Sequence, residues 1–217
     1  MAKSVTERFL SFARYIFFER ISPKFNAAFF KNFMDYAYIV FEKFAYSFEV
    51  LSSNYLKLYY EFVEKEIKMA HISKKSKILV IGCGALPATA LLVSIKTNAN
   101  IVSIDYDPKA IHKASNFIEN LKPKPNIKIE YADGLKYPIE KFDVIFVSYG
   151  VKRQIEILKH LSKNIDKNTR VIFRTTQDIL NQNFGGIKFL SELFVVKDLL
   201  SSESIYTCDS YLLAKKK

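Results

Sequence analysis

The segment Lys77-Ile-Leu-Val-Ile-Gly-Cys-Gly-Ala-Leu-Pro87 constrains this chain more than any other. An unbroken run of large apolar residues, Ile78 to Ile81, reads as a strand buried on both faces. Gly82 and Gly84 then break the run, and the uncharged stretch beyond Pro87 reads as a buried helix. Ile101-Val-Ser-Ile-Asp-Tyr-Asp-Pro108 reads as a second strand that ends on a carboxylate. Gly82 and Asp105 are 23 positions apart, against roughly 20 for a nucleotide-binding βαβ unit. In that arrangement glycines let the backbone approach the ligand closely, and the acid takes two ribose hydroxyls. The spacing therefore predicts a nucleotide-containing ligand on Gly82, Cys83, Gly84, Leu86 and Pro87, with Asp105 on its ribose and Tyr106 beside it.

Ile78 to Ile95 is also 18 residues without a charge, long enough for a hydropathy window to suggest a membrane span. The Gly-Cys-Gly-Ala-Leu-Pro break argues for a strand followed by a helix instead, and no membrane association is expected.

Strands and helices alternate from Lys77 onward. Strands are predicted at 77–81, 100–104, 127–131, 143–147 and 169–174. Helices are predicted at about 86–97, 108–121 and 151–164, with Asp107 as the N-cap and Pro108 in the first turn of the second. Two last runs, about 188–196 and 205–214, read as a closing antiparallel pair. Short alternating units of this kind predict an α/β fold with a mostly parallel, doubly wound sheet. Ligands in such sheets lie beyond the carboxyl ends of the strands. That places Asp133, Ser148-Tyr149 and Arg174 on the same rim as the glycine loop.

Residues 1–73 differ in character. They contain no glycine and one proline, Pro23, and hold 19 of the 32 aromatic residues. Helical spacing of Phe9, Phe12, Phe33, Tyr36, Phe41, Phe44 and Phe48 predicts three or four packed helices. Ser53 or Asn54 is the expected cap of the last one. The expected division is a helical domain at 1–73 and an α/β domain at 74–217. Cys83 and Cys208 form no disulfide framework or zinc spacing, so no metal site is expected and the setting reads as reducing and cytoplasmic. The net charge of +11 favours an anionic partner without choosing among carboxylates, phosphates, RNA and a membrane surface. Oligomeric state is not read from the sequence.

A dinucleotide loop needs a third glycine where this chain has Pro87, which disfavours a dehydrogenase. The layout from about 74 to 214 resembles a class I S-adenosylmethionine-dependent transferase, which implies a Rossmann-like class I methyltransferase fold, a seven-stranded sheet and S-adenosylmethionine as donor substrate. By that resemblance Asp105 holds the ribose, Ala132-Asp133 meets the adenine, and Ser148-Tyr149-Gly150 faces the sulfonium. Read from the residues alone, Asp107 is a helix cap and Asp133-Gly134 could be merely a turn.

Two departures stand out: Val80 and Leu86 occupy places where most class I methyltransferases carry an acid and a third glycine. The loop Gly82-Cys-Gly-Ala-Leu-Pro-Ala-Thr-Ala90 resembles that of nicotianamine synthases and related opine-metallophore enzymes. Asn54-Tyr55-Leu-Lys-Leu-Tyr-Tyr-Glu61 and Val171-Ile-Phe-Arg-Thr-Thr176 are similar to further pieces of that family. The resemblance implies transfer of the aminocarboxypropyl arm to a small-molecule amine or amino acid, with methylthioadenosine released. It implies Glu61 as general base, assisted by Tyr55 or Tyr60. On its own, Glu61 reads equally as an exposed helical residue pairing with Lys57 or Lys65. Tyr149 is expected to order the methionine arm beside the reacting centre, and Arg174 to hold a substrate carboxylate through its planar fork. Methyl transfer to a small molecule or RNA is the alternative, with RNA not the favoured partner. A non-catalytic cofactor-binding module is the reading from another class.

Overall fold

The computed structural model describes residues 49–201 and 208–216, with side chains described from Tyr59 onward. The helices expected between residues 1 and 48 lie outside the described residues. The described chain opens with α1 (Glu49–Met69), so Ser53 and Asn54 fall inside this helix rather than at its cap.

Seven strands form one sheet in the order β3-β2-β1-β4-β5-β7-β6. They are β1 (Lys77–Ile81), β2 (Asn100–Asp105), β3 (Ile127–Tyr131), β4 (Val144–Val147), β5 (Arg170–Thr175), β6 (Phe194–Leu200) and β7 (Asp209–Lys215). Strands β1 to β5 pair in parallel, while β7 runs antiparallel between β5 and β6. Chain order therefore reverses at β1, where β2 pairs on one side and β4 on the other. Such a switch opens a crevice at the strands' carboxyl ends.

Side chains of β1 alternate between two cores. Ile78 and Val80 join Phe146, Ile172 and Leu212 beneath Val63 of α1, Ala90 and Val93 of α2 (Ala88–Thr97), and Ile118 of α3 (Pro108–Asn120). Leu79 and Ile81 join Ile145, Val147 and Phe173 on the other face, covered by Ile157, Leu158 and Leu161 of α4 (Gln154–Asn164). Helix α1 thus shares one core with the sheet.

The 18-residue uncharged stretch resolves into β1, the glycine loop and the start of α2. Among the described residues no helix is long and apolar enough to cross a membrane. Asp107 caps α3 by accepting from the Lys109 amide at 2.9 Å, with Pro108 in the first turn.

The structure departs from the sequence expectations in three further places. Helix α2 starts at Ala88 because Pro87 stands at its N-cap with ψ 53°. Helix α4 starts at Gln154 because Arg153 takes a left-handed conformation. Two unforeseen helices, α5 (Gln177–Phe184) and α6 (Ile187–Leu193), follow β5, so the first closing strand begins at 194 rather than 188; the expected start of the second, at 205, lies outside the described residues. Thr176 caps α5 through the Ile179 amide, and Gly185 ends it with φ 72°.

Candidate functional site

A cavity of about 640 Å³ lies at the carboxyl ends of β1, β2, β4 and β5, beneath α1. That volume suits a ligand of nucleoside size.

The glycine loop forms its floor. The amides of Gly82 and Cys83 both donate to the Ile104 carbonyl, at 2.8 and 3.1 Å, folding the loop over β2. Gly82 (φ 85°) and Gly84 (φ 63°) take conformations that side chains resist. Their roles differ. A Cβ on Gly82 would lie 2.3 Å from Val151 Cγ2, whereas one on Gly84 would meet nothing within 4 Å. The first glycine makes room for the loop after β4; the second faces open cavity.

Asp105 is buried at the end of β2 and anchored by backbone: Oδ2 accepts from the Gly84 amide at 2.9 Å and Oδ1 from the Asp107 amide at 3.0 Å. Each carboxylate oxygen can accept a second bond, which matches the vicinal hydroxyls of a ribose. Next along the rim, the Ala132 amide donates to the Asp105 carbonyl at 3.0 Å, and Asp133 Oδ1 accepts from the Leu135 amide at 3.0 Å. Gly134 is buried so tightly that a Cβ there would lie 2.8 Å from Ile81 Cγ2. Burial first, and then the Asp105 charge, push the Cys83 thiol up to about 12. Cys83 is therefore an inert wall, not a nucleophile.

After β4, the Ser148 amide donates to the Ile81 carbonyl at 3.1 Å. Gln154 Nε2 ties down the Ser148 and Tyr149 carbonyls at 3.2 and 3.0 Å. Burial pushes the Tyr149 phenol above its ordinary pKa.

The far half of the cavity, under α1, holds a buried polar cluster. Arg174 Nε donates to Glu66 Oε1 at 2.8 Å and Nη2 to Oε2 at 2.5 Å. Its Nη1 donates to the Tyr59 hydroxyl and to Thr89 Oγ1, both at 2.8 Å, and those two hydroxyls lie 2.6 Å apart. The guanidinium sits 5.5 to 5.8 Å from the ring centroids of Tyr59, Phe62 and Phe146, within cation–π reach.

The cavity brings together Gly82, Cys83, Gly84, Leu86 and Pro87 with Asp105 and Tyr106. It also gathers Ala132, Asp133, Ser148, Tyr149 and Arg174. It does not bring Glu61 or Tyr60. Glu61 is exposed, about 200° round the helix axis from cavity-lining Tyr59. The Tyr60 ring stacks instead under Lys96 Nζ at 4.1 Å. Tyr55 lies in α1, its side chain outside the described residues. The fork of Arg174 holds Glu66 through Nε and Nη2. Sequence reasoning missed Tyr59, Glu66, Thr89, Lys152 and Arg153. For Glu66 a signal existed: Tyr59, Phe62 and Glu66 fall at i, i+3 and i+7, so a glutamate sat on an apolar stripe.

A doubly wound sheet, a two-glycine loop at its switch point and an anchored acid closing β2 together define the class I S-adenosylmethionine-dependent transferases. The sequence profile described as "Methyltransferase domain" matches residues 72–206, and the chain belongs to that family. Among curated proteins it is similar to L-histidine 2-aminobutanoyltransferase of Yersinia pestis. That match is 27% identical over 124 residues, covering 57% of this chain and 46% of that protein. It is also similar to a fibrillarin-like rRNA/tRNA 2'-O-methyltransferase of Methanococcus voltae, 25% identical over 140 residues, covering 54% of this chain and 60% of that one. Among solved structures, MtNAS in complex with MTA and tNA matches with a TM-score of 0.67 and 20% identity, over 78% of this chain and 65% of that one. A mutant of MtNAS in complex with S-adenosylmethionine matches with a TM-score of 0.65 and 20% identity, over 84% and 71%. These structural likenesses are likenesses of fold. The chain spans less than half the length of the Yersinia protein.

Proposed function

We propose that this protein transfers the aminocarboxypropyl arm of S-adenosylmethionine to an amine and releases methylthioadenosine. The observation that carries the reading is the wall at Val80. This residue lines the cavity and is 1% exposed, so an apolar side chain stands where the class I resemblance implies an acid for the arm. The polar groups on the same side of the cavity that can hold the arm are Tyr59 and Thr89, bridged by Arg174, under α1. An arm bound to these hydroxyls is held by neutral groups rather than by an acid at position 80. Which carbon reacts is decided by which lies in line at about 3–3.5 Å from the nucleophile. The similarity to L-histidine 2-aminobutanoyltransferase and to MtNAS solved with MTA and tNA supports the same direction.

In this reaction the lone pair of the acceptor nitrogen forms a bond to the γ-carbon of the arm. The carbon–sulfur bond breaks with its electron pair going to sulfur, which leaves as a neutral thioether, and the nitrogen releases a proton. Asp105 and Gly84 orient the nucleoside, and Tyr149 offers its phenol beside the reacting centre. Glu61 and Tyr60 stand outside the cavity and take no part in this scheme.

Methyl transfer to a small molecule or RNA is the second reading, favoured by the net charge of +11 and the similarity to the 2'-O-methyltransferase. One experiment separates them: incubation with S-adenosylmethionine and either a panel of amino acids or transfer RNA. Methylthioadenosine as by-product is the expected result; S-adenosylhomocysteine would sink the arm-transfer reading.

A further inference from the structure

We infer that Lys152 and Arg153 form an anion-recognition pair at the cavity mouth that captures the carboxylate of the acceptor. The inference deepens the reading above and rests on it only in taking the acceptor to be a small amine.

Among the described residues, three cationic side chains line the cavity: Lys152, Arg153 and Arg174. A guanidinium has five N–H groups, and the hydrogen bonds of Arg174 to Glu66, Tyr59 and Thr89 occupy four of them. Its charge is balanced by Glu66 in the same bidentate contact. A second carboxylate arriving in the cavity therefore meets Lys152 and Arg153 as its counter-charges.

The backbone holds Arg153 at the rim against local preference. Arg153 stands at the N-cap of α4 with φ 61° and ψ 36°, and its side chain makes no cap hydrogen bond. A left-handed N-cap favours glycine or asparagine, and a capping side chain favours serine or aspartate. Neither preference is met. The turn is nonetheless fixed from both sides. Val151 fills the notch above Gly82, and Gln154 binds the carbonyls of Ser148 and Tyr149. A strained residue held by its surroundings beside a cavity points to a function for its side chain. Lys152 lies across the mouth, its Nζ 5.8 Å from the ring centroid of Tyr106, the residue that follows Asp105. The Arg153 contact to Glu156 is 3.5 Å long and exposed on both sides, the kind of ion pair an incoming carboxylate displaces at little cost.

The experiment uses the full chain and pairs each amino acid of the panel with its carboxamide. Wild-type protein is expected to prefer the acid. Lys152→Gln with Arg153→Gly removes both charges while glycine keeps the left-handed backbone. This variant should raise the KM for the amino acid by roughly tenfold or more. Its kcat and donor KM should change less, and the preference for acid over amide should collapse. Arg153→Lys should recover part of the preference. Retained discrimination in the double variant, a wild type indifferent to the carboxylate, or no turnover of any panel member would each overturn the inference. Should S-adenosylhomocysteine be the by-product while the discrimination behaves as described, the arm-transfer reading fails and this inference stands.

Discussion

Glu66 of α1 and Arg174 of β5 are 108 residues apart in sequence and form a bidentate ion pair that is 0% and 7% exposed. Ser210 of β7 adds a third bond, its Oγ 2.5 Å from Glu66 Oε1. Burial opposes the charge on Arg174, but the adjacent carboxylate overrides it, and the guanidinium's pKa is raised. One neutral unit thereby fastens the helix over the cavity to the sheet beneath it. Glu66→Ala leaves a buried, unbalanced cation and should cost about 3–5 kcal/mol. Exchanging both residues for methionine should recover part of that loss, because no charge is stranded. Urea unfolding of the two variants checks this; equal losses would mean that the ion pair is not the source.

Asp105 should govern donor affinity rather than turnover. Its oxygens are aligned by the Gly84 and Asp107 amides, so both point where a ribose would lie. Each hydrogen bond to a charged acceptor contributes about 1.5–3 kcal/mol. Asp105→Ala should then weaken S-adenosylmethionine binding at least roughly tenfold by calorimetry. Unchanged affinity would remove this residue from the site.

Cys83 gives a pH dependence with a definite sign. Burial holds its thiol at about 12, well above the ordinary value. Below about pH 8.5 the group is protonated in both folded and unfolded chains, and its contribution to stability is fully present. Above that pH the unfolded chain releases the proton and the folded chain keeps it. Stability therefore falls as pH rises toward 12. Cys83→Ala should flatten this alkaline loss in urea unfolding at pH 8 and 10.5. An identical slope in the variant would assign the loss to other groups.

What could be read from the chain was short-range. The β1 run, the two glycines and the Asp107-Pro108 helix start each carry their signal within a few residues, and each lies where expected. The run from Phe189 to Val196 carried no such signal. It is continuously apolar at both ends, and periodicity does not separate the end of α6 from the start of β6. That Glu61 faces solvent while Glu66 is buried follows from the phase of α1, which is set by the packing of Phe62 and Val63 into the core. The pairing of Arg174 with Glu66 is not legible in the sequence because the two lie 108 residues apart and no local pattern links them. Lys152 and Arg153 stayed hidden because an exposed cation pair looks like ordinary surface until the turn that carries it is seen.

The two glycines of the loop should fail in different ways when given a side chain. Both have positive φ, so alanine is strained by about 1–2 kcal/mol at either. At Gly82 the new methyl also strikes Val151, whose Cγ2 would be 2.3 Å away. Val151 shares the loop with Tyr149 and Lys152, so Gly82→Ala should lower the unfolding midpoint and displace the rim. Val151→Ala added to it should restore part of the stability, leaving the φ strain. At Gly84 nothing lies within 4 Å of the added carbon. Gly84→Ala should therefore lose only the strain energy in stability, while its methyl projects into the space a nucleoside would fill. Donor affinity should drop more for Gly84→Ala than for Gly82→Ala, and stability should drop more for Gly82→Ala. A reversed affinity ranking would mean that the nucleoside does not rest on the second glycine, and a reversed stability ranking that the Val151 contact does not limit Gly82.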